Sequence, residues 1–205
     1  MRLPIPPALR LAALPFLLAL LGCASSPPVD YLDLEVVPPP SGSATPLAGA
    51  PLEVGRVTLP PELDRDELVR RTGAGRLEIV PSERWAAPLA DLVRRTLAFD
   101  LAARLPPRQV VLPGEPRPPG PVRIVVVVLR QLATGGDGAL LAGRWSIVDG
   151  DAGTSLAVHD VELGPADGAA SGPGLAHATS VALGELADRI SAELAAHESS
   201  AESRP

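Results

Sequence analysis

Apolar and polar residues alternate along several stretches of the chain, and this pattern predicts β-strands separated by turns. The clearest run, Ile124–Leu129, is continuous and β-branched, which is typical of a central strand buried on both faces. By contrast, Leu63–Arg71 is mostly charged and predicts a short helix or a loop. The other predicted strands are Leu52–Leu59, Arg76–Val80, Gln109–Leu112, Ala139–Val148 and Leu156–Leu163, with a short one within Tyr31–Val36.

Two further stretches carry apolar residues three and four positions apart, the spacing of helices with one buried face. The first begins after Pro81 with Ser82 as its N-cap, includes Trp85 in its apolar stripe, and ends at Pro106. The second spans Leu175–Ala196. The order strand, strand, helix, several strands, helix predicts an α+β fold, a two-layer domain with a mixed β-sheet and two main helices on one face.

The N-terminus has the pattern of a secretion signal. Arg2 and Arg10 are basic, and the apolar run Leu11–Leu20 is too short to span a bilayer comfortably. The run ends in Leu20-Leu21-Gly22-Cys23, which resembles the lipobox of bacterial lipoproteins. We therefore expect cleavage after Gly22 and covalent attachment of diacylglycerol and an N-acyl chain to Cys23.

These signals divide the chain into four parts. Residues 1–22 are the predicted signal peptide, and residues 23–51 are a Pro-rich tether that starts at the lipidated cysteine. Residues 52–197 are the predicted α+β domain, and residues 198–205 are a polar tail that we expect to be disordered.

The amino-acid composition argues against some classes of function. The chain carries 18 basic and 24 acidic residues; without Arg2 and Arg10 the mature form has 16 against 24, a net charge of −8. Repulsion from phosphates argues against nucleic-acid binding. Cys23 is the single cysteine, so an internal disulfide is impossible. The acidic body would not be drawn to an anionic membrane, so a covalent anchor is needed to hold it there.

The sequence lacks the residue patterns that are typical of common catalytic and metal-binding sites. The three histidines, His159, His177 and His197, lack zinc-site spacing, and neither a nucleophile elbow nor a phosphate loop is present. We therefore expect no enzyme activity, no metal and no cofactor beyond the lipid. Trp85 and Trp145 are either core residues or interface anchors, and the core interpretation is favoured.

Two sequence segments and a tryptophan carry a family resemblance. Leu63-Asp64-Arg65, then Glu83-Arg84-Trp85, and later Trp145 within Gly143–Ile147 resemble the pattern of the PqiC-like ABC-type transport auxiliary lipoproteins. The lipobox and the Tyr31–Leu34 segment fit the same family. One departure is Glu62, where an aromatic residue is common. These residues are therefore the candidates for partner-binding or fold-defining roles: Leu63, Asp64, Arg65, Glu83, Arg84, Trp85 and Trp145.

The resemblance implies a fold similar to the N-terminal domain of TolB and a role in an MCE system, which moves phospholipids or other hydrophobic molecules between the inner and outer membranes. The implied partners are an MCE-domain protein and the ABC permease and ATPase, and some relatives form homo-oligomeric rings. Ala24, rather than Asp, follows the cysteine, which favours the periplasmic face of the outer membrane. The alternatives are a pilotin-like lipoprotein that stabilises another envelope complex and a cell-wall or lipid hydrolase.

Overall fold

The computed structural model describes residues 28–41, 48–73, 75–132, 139–165 and 172–202. The predicted signal peptide and Cys23 lie outside these residues. The described residues form two α-helices, α1 (Leu89–Arg104) and α2 (Gly172–Glu202), a 3-10 turn at Pro61–Leu63 and the following strands: β1 (Asp30–Leu32), β2 (Leu52–Thr58), β3 (Glu67–Gly73), β4 (Arg76–Trp85), β5 (Val110–Val111), β6 (Arg123–Leu132), β7 (Ala139–Asp149) and β8 (Ser155–Pro165).

Five strands form the larger sheet, in the order β5-β2-β6-β7-β8. β2 runs parallel to both β5 and β6, whereas β7 and β8 continue the sheet in antiparallel pairs. Helices α1 and α2 contact each other and pack against one face of this sheet. Since a mixed sheet is covered on one face by two helices, the predicted α+β fold is confirmed.

β6 is central to the sheet, as its β-branched run predicts, but only one of its faces is buried. Val125, Val127 and Leu129 point towards the helices and are buried. Val128, between them, is 39% exposed, because no helix in the described part of the chain covers the outer face. The expectation of a strand buried on both faces is therefore wrong.

The other three strands form a second sheet in the order β1-β4-β3. β1 runs parallel to β4, and β3 and β4 form an antiparallel hairpin. Leu68 and Trp85 of this hairpin, with Leu132 and Leu175, border a gap of only about 10 Å³. The two sheets therefore share one continuous core, although the sequence pattern suggested a single sheet.

The start of α1 differs from the prediction. Ser82 and Trp85 lie on β4, and the helix begins only at Leu89, after Pro88. A proline disfavours helical conformation in the residue before it, so the helix cannot extend back across Ala87. Pro88 instead serves as the N-cap, and its carbonyl accepts the N–H of Asp91 at 2.9 Å.

β4 continues through Pro81 because its ladder with β3 is irregular there. Leu68 pairs with Val80, but Glu67 pairs with Arg84, so residues 81–83 bulge out of the ladder. Since proline cannot donate to a ladder, a bulge is where it is tolerated. The neighbouring segment Glu67–Gly73 forms the strand β3. The prediction of a short helix or a loop over Leu63–Arg71 is therefore correct only for the 3-10 turn and the residues just after it, and wrong for the rest.

The C-terminal helix extends beyond its predicted end. α2 runs to Glu202 and so includes the first residues of the segment expected to be a disordered tail. Glu198 is fixed there by Arg108, whose buried guanidinium lies 2.6 Å from the carboxylate. Residues 203–205 lie outside the described residues.

Candidate functional site

The two family segments meet at the end of β4. β1 pairs with Glu83-Arg84-Trp85 on one side, with Asp30 opposite Glu83 and Leu32 opposite Trp85. On the other side, the Trp85 N–H donates to the Asp66 carbonyl at 2.8 Å. The structure therefore brings Leu63, Asp64, Arg65, Glu83, Arg84 and Trp85 into one region around this strand.

Ion pairs connect the charged members of this region. Arg70 lies 2.6 Å from Glu83, and Arg65 lies 3.2 Å from Glu67. The backbone N–H of Glu67 and the guanidinium of Arg65 lower the pKa of the Glu67 carboxyl. Gly172, the first residue of α2, is in tight contact with Glu83: a Cβ at position 172 would lie 2.7 Å from the carboxylate. Glu83 thus ties the hairpin to the start of the C-terminal helix, where a negative charge is favourable.

Trp145 lies apart from these residues, on the inner face of β7. Its indole is buried and stacks on His159 of β8, with ring centroids 4.7 Å apart. His159 and His197 both approach Glu193 of α2, with Nε2 to carboxylate oxygen distances of 3.3 and 3.2 Å. Trp85 is also buried, so both tryptophans are core residues of the described domain.

A second group of contacts fixes the segment after β1 onto the two helices. The Val37 N–H donates to Asp100 Oδ1 at 2.8 Å, and Arg104 Nη1 donates to the Val37 carbonyl at 2.9 Å. Arg104 also donates through Nε to Asp188 of α2 at 2.7 Å. Asp100 and Arg104, which we call the Val37 clamp, thus satisfy both backbone groups of one residue and join it to both helices.

Neighbouring contacts fix the rest of this segment. Leu32 and Leu34 are buried in the core, and the Glu35 N–H donates to Ser180 Oγ of α2 at 3.0 Å. Asp33 lies 2.8 Å from Arg95 of α1. Residues 30–37, inside the segment predicted as a tether, are therefore packed onto the domain.

The Val37 clamp places charge in the core. Asp100 is fully buried, and desolvation raises the pKa of its carboxyl from 3.8 to about 6, although the Val37 N–H and Arg104 act in the opposite direction. Asp100 Oδ2 has no hydrogen-bond partner. Asp100 and Arg104 were not among the residues predicted from the sequence. The signal was present, because Asp100 and Arg104 share the helix face of Leu97 and Leu101, where a polar residue is unusual.

A groove of about 820 Å³ lies between β2 and the first turns of α1. β5 pairs with β2 only at Leu52 and Glu53, so the rest of that edge borders the groove. Arg94 donates from Nε to the Val54 carbonyl at 2.8 Å and so blunts the edge. Asp64 is the family-motif residue that lines the groove, together with Arg56, Asp91 and Arg94. The mixed charges suit a polar peptide or protein surface.

Within the described residues, no group of three His, Cys, Asp or Glu side chains is arranged to hold a metal ion. Among the helices that are described, none is both long and apolar enough to cross a membrane.

Comparisons with known proteins identify a family. A family model described as "ABC-type transport auxiliary lipoprotein component" matches residues 32–191. No curated protein sequence matches the chain. A crystal structure of a Xanthomonas campestris protein of the DUF330 family is 14% identical, with a TM-score of 0.63, and the alignment covers 85% of this chain and 99% of the other. A crystal structure of an uncharacterised protein is 21% identical, with a TM-score of 0.57 and coverage of 83% and 98%.

Proposed function

The chain belongs to the ABC-type transport auxiliary lipoprotein components, and from this membership we propose that it is a lipid-anchored, periplasmic accessory subunit of an MCE-type transport system. That system would move phospholipids or other hydrophobic molecules between the inner and outer membranes. The family match over residues 32–191 is the observation that carries the proposal, because it spans the whole region in which the motif residues and the Val37 clamp lie.

The anchor in this proposal is Cys23, acylated after cleavage behind Gly22. The packing of residues 30–37 supports it, because it leaves only about six residues between the cysteine and β1. At about 3.3 Å per residue, this linker holds the domain within about 25 Å of the bilayer. Ala24 supports placement on the periplasmic face of the outer membrane.

The partner in this proposal is an MCE-domain protein, which crosses the periplasm to the ABC permease and ATPase. We place its docking surface at the groove, because Asp64 connects that groove to the family-motif residues. The role is one of binding and not of catalysis, in line with a family that is described as a transport auxiliary component. Assembly of this subunit as a homo-oligomeric ring is part of the same proposal.

An affinity pull-down from the native envelope tests the partner. The acylated protein is compared with a Cys23→Ala variant and with an Asp64→Arg variant that reverses one charge of the groove. We expect the acylated protein to recover an MCE-domain protein with its permease, and both variants to recover less. Glu162→Arg is the matched control, because Glu162 is an exposed carboxylate on β8, away from the groove.

Two other outcomes would reject the proposal. Recovery of a secretin or of a lipopolysaccharide export complex, without an MCE-domain protein, would favour the pilotin-like role. A robust esterase or muramidase activity of the purified protein would favour a hydrolase. Mass spectrometry of the N-terminal peptide tests the anchor separately, since acylation adds a defined mass to Cys23.

A further inference from the structure

One edge of the larger sheet is open where it borders the groove. β5 pairs with β2 only at Leu52 and Glu53, and past Glu53 no other strand of the described ranges pairs with β2 on that side. β2 itself continues to Thr58, because β6 holds it on the other side. Residues 54–58, which we call the open edge, therefore present one side of a regular strand to the groove. An edge of this kind is a template for pairing with another chain.

The ladder with β6 shows which backbone groups face the open edge. The Leu52 N–H donates to the Gln109 carbonyl at 2.9 Å, and the Val54 carbonyl accepts from Arg94 Nε at 2.8 Å, both on the side away from β6. Between Val54 and Val57, β2 advances three residues while β6 advances two, so Val57 takes the place of Val54 in the ladder. The N–H and carbonyl of Val57 therefore also point away from β6. Arg94 occupies the carbonyl of Val54, and the edge beyond it is available to a second strand.

The groove beside the open edge carries opposite charges at its two ends. Near the start of β2, Arg94 and Arg117 share the single carboxylate of Glu53, at 3.7 and 2.7 Å, which leaves a net positive charge. Asp64 and Asp91 line the other end, where β2 finishes and α1 begins, and neither forms an ion pair within the described residues. An extended segment along the edge is therefore complementary in charge when its acidic residue lies near the start of β2 and its basic residue near the end.

We propose that the groove binds its partner by strand addition: an extended segment of the MCE-domain protein pairs with β2 along the open edge. This inference rests on the proposed function and states how that partner is bound. Backbone bonds to Val57 supply affinity, and the charges at the two ends fix the position of the segment. The segment spans about five residues, or roughly 16 Å at 3.3 Å per residue. Its alternate side chains lie towards α1, where Pro88 and Ala90 line the groove and favour apolar contacts.

Hydrogen exchange with synthetic peptides tests strand addition directly. The probes are the capped hexapeptides Asp-Thr-Val-Thr-Val-Arg and Arg-Val-Thr-Val-Thr-Asp, whose opposite orders cover the parallel and antiparallel directions. At saturation, one of them should slow exchange of the Val57 amide of the acylated full chain about tenfold. Amides of β8, at the opposite edge of the sheet, should not change. If neither peptide protects the Val57 amide, the proposal is overturned.

N-methylation of the binding peptide separates strand addition from docking of side chains. Methyl groups on alternate residues remove the N–H donors from one side of an extended strand and leave the other side intact. Two versions, methylated at odd or at even positions, are therefore compared in the same exchange experiment. One version should lose all protection of Val57, and the other should keep it. Equal behaviour of the two versions would refute backbone pairing.

A charge reversal tests the predicted polarity of the groove. Asp64→Arg should weaken binding of the peptide with a terminal arginine about threefold and strengthen binding of Asp-Thr-Val-Thr-Val-Asp by a similar factor, since exposed ion pairs contribute modestly. Glu162→Arg, an exposed carboxylate on β8, is the matched control and should leave both affinities unchanged. Equal effects of the two variants would show that the groove does not distinguish the ends of the segment.

The peptides contain no part of an MCE-domain protein, so this proposal and the proposed function can fail separately. If a peptide binds in one methylation pattern but the pull-down recovers no MCE-domain protein, the proposed function is rejected and strand addition is upheld. If the pull-down succeeds but neither peptide binds, strand addition is rejected alone. If the Val57 amide of the chain by itself is protected at high concentration and loses protection on dilution, a second copy covers the edge and the proposal is overturned.

Discussion

The two sheets of this protein are supported in different ways. The five-stranded sheet carries two long helices on one face, and its inner residues, such as Val127 and Ile147, are fully covered. The three-stranded sheet is joined to this layer through buried side chains that include Leu32, Leu68, Val69 and Trp85, and side chains nearer its turn, such as Leu77, are exposed. The larger sheet with its two helices is therefore the scaffold of the domain, and the smaller sheet is a projection from it.

The difference in burial predicts a difference in local stability between the two sheets. Elements with few buried contacts open locally at low free energy, and this is where binding surfaces tend to lie. The family segments Leu63-Asp64-Arg65 and Glu83-Arg84-Trp85 are at the junction of the two regions.

A matched pair of leucine truncations should separate the two regions most clearly. Leu97→Ala on α1 should destabilise the domain by about 2–5 kcal/mol, because the removed side chain leaves a cavity in a fully buried layer. Leu77→Ala should cost less than about 1 kcal/mol, since that side chain is half-exposed. Urea unfolding followed by circular dichroism measures both. Similar losses in the two variants would show that the hairpin is as well supported as the scaffold.

Removing the arginine of the Val37 clamp should have the next largest effect. Arg104→Ala leaves Asp100 buried without its partner, which should cost about 3 kcal/mol. Hydrogen exchange should show that the amide of Val37 loses protection while amides of β6 keep theirs. Arg95→Ala is the control, because its ion pair with Asp33 is exposed and contributes less than about 1 kcal/mol. Uniform loss of protection would contradict a local clamp.

The pH dependence of stability should reveal the buried carboxyl. In the folded chain the pKa of Asp100 is raised from 3.8 to about 6, so between these values the unfolded chain binds fewer protons than the folded chain. The contribution of Asp100 therefore falls as the pH rises from about 4 to about 6. Urea unfolding across this range should show wild type losing stability relative to Asp100→Asn. A constant difference between the two proteins would contradict the raised pKa.

The smallest effect on stability is expected near the turn of the β3–β4 hairpin, which is the hairpin tip. Ile79→Ser should change the unfolding free energy by no more than about 0.5 kcal/mol, because the side chain is 44% exposed. Hydrogen exchange should show that amides of β3 and β4 near the turn open more readily than those of β6 and β7. Protection of the tip equal to that of β6 would mean that the two regions unfold as one unit.

Sequence reasoning predicted the scaffold better than the junction. The β-branched run of β6 and the apolar spacing of α1 are strong local signals, because each element places one face in the continuous core. The start of α1 was misplaced because Ser82 is a good helix N-cap, and the residues on either side of it are held in β4 by their pairing with β1 and β3. Tertiary pairing of this kind leaves no local pattern.

The candidate functional residues also differ in how far they could be predicted from the sequence. Trp85 and Trp145 could be picked out from the sequence because the chain is poor in aromatic residues, and the other motif residues were identified through the family resemblance. The Val37 clamp could not be predicted, because Val37 lies in a segment whose composition indicates a Pro-rich tether. Its hydrogen bond with Asp100 is apparent only in the folded chain. Buried polar residues on an apolar helix face were the available signal, and they indicated a contact without identifying its partner.

The order of contacts after Cys23 has a mechanical consequence. Any tension between an anchored N-terminus and a partner bound to the domain first loads β1, which is parallel to β4 and so resists in shear through its three paired residues. The load then reaches the Val37 clamp, where Arg104 spreads it over both helices. With Cys23 as the proposed anchor, the force thus passes through the end of β4 and into both helices within fifteen residues of that cysteine.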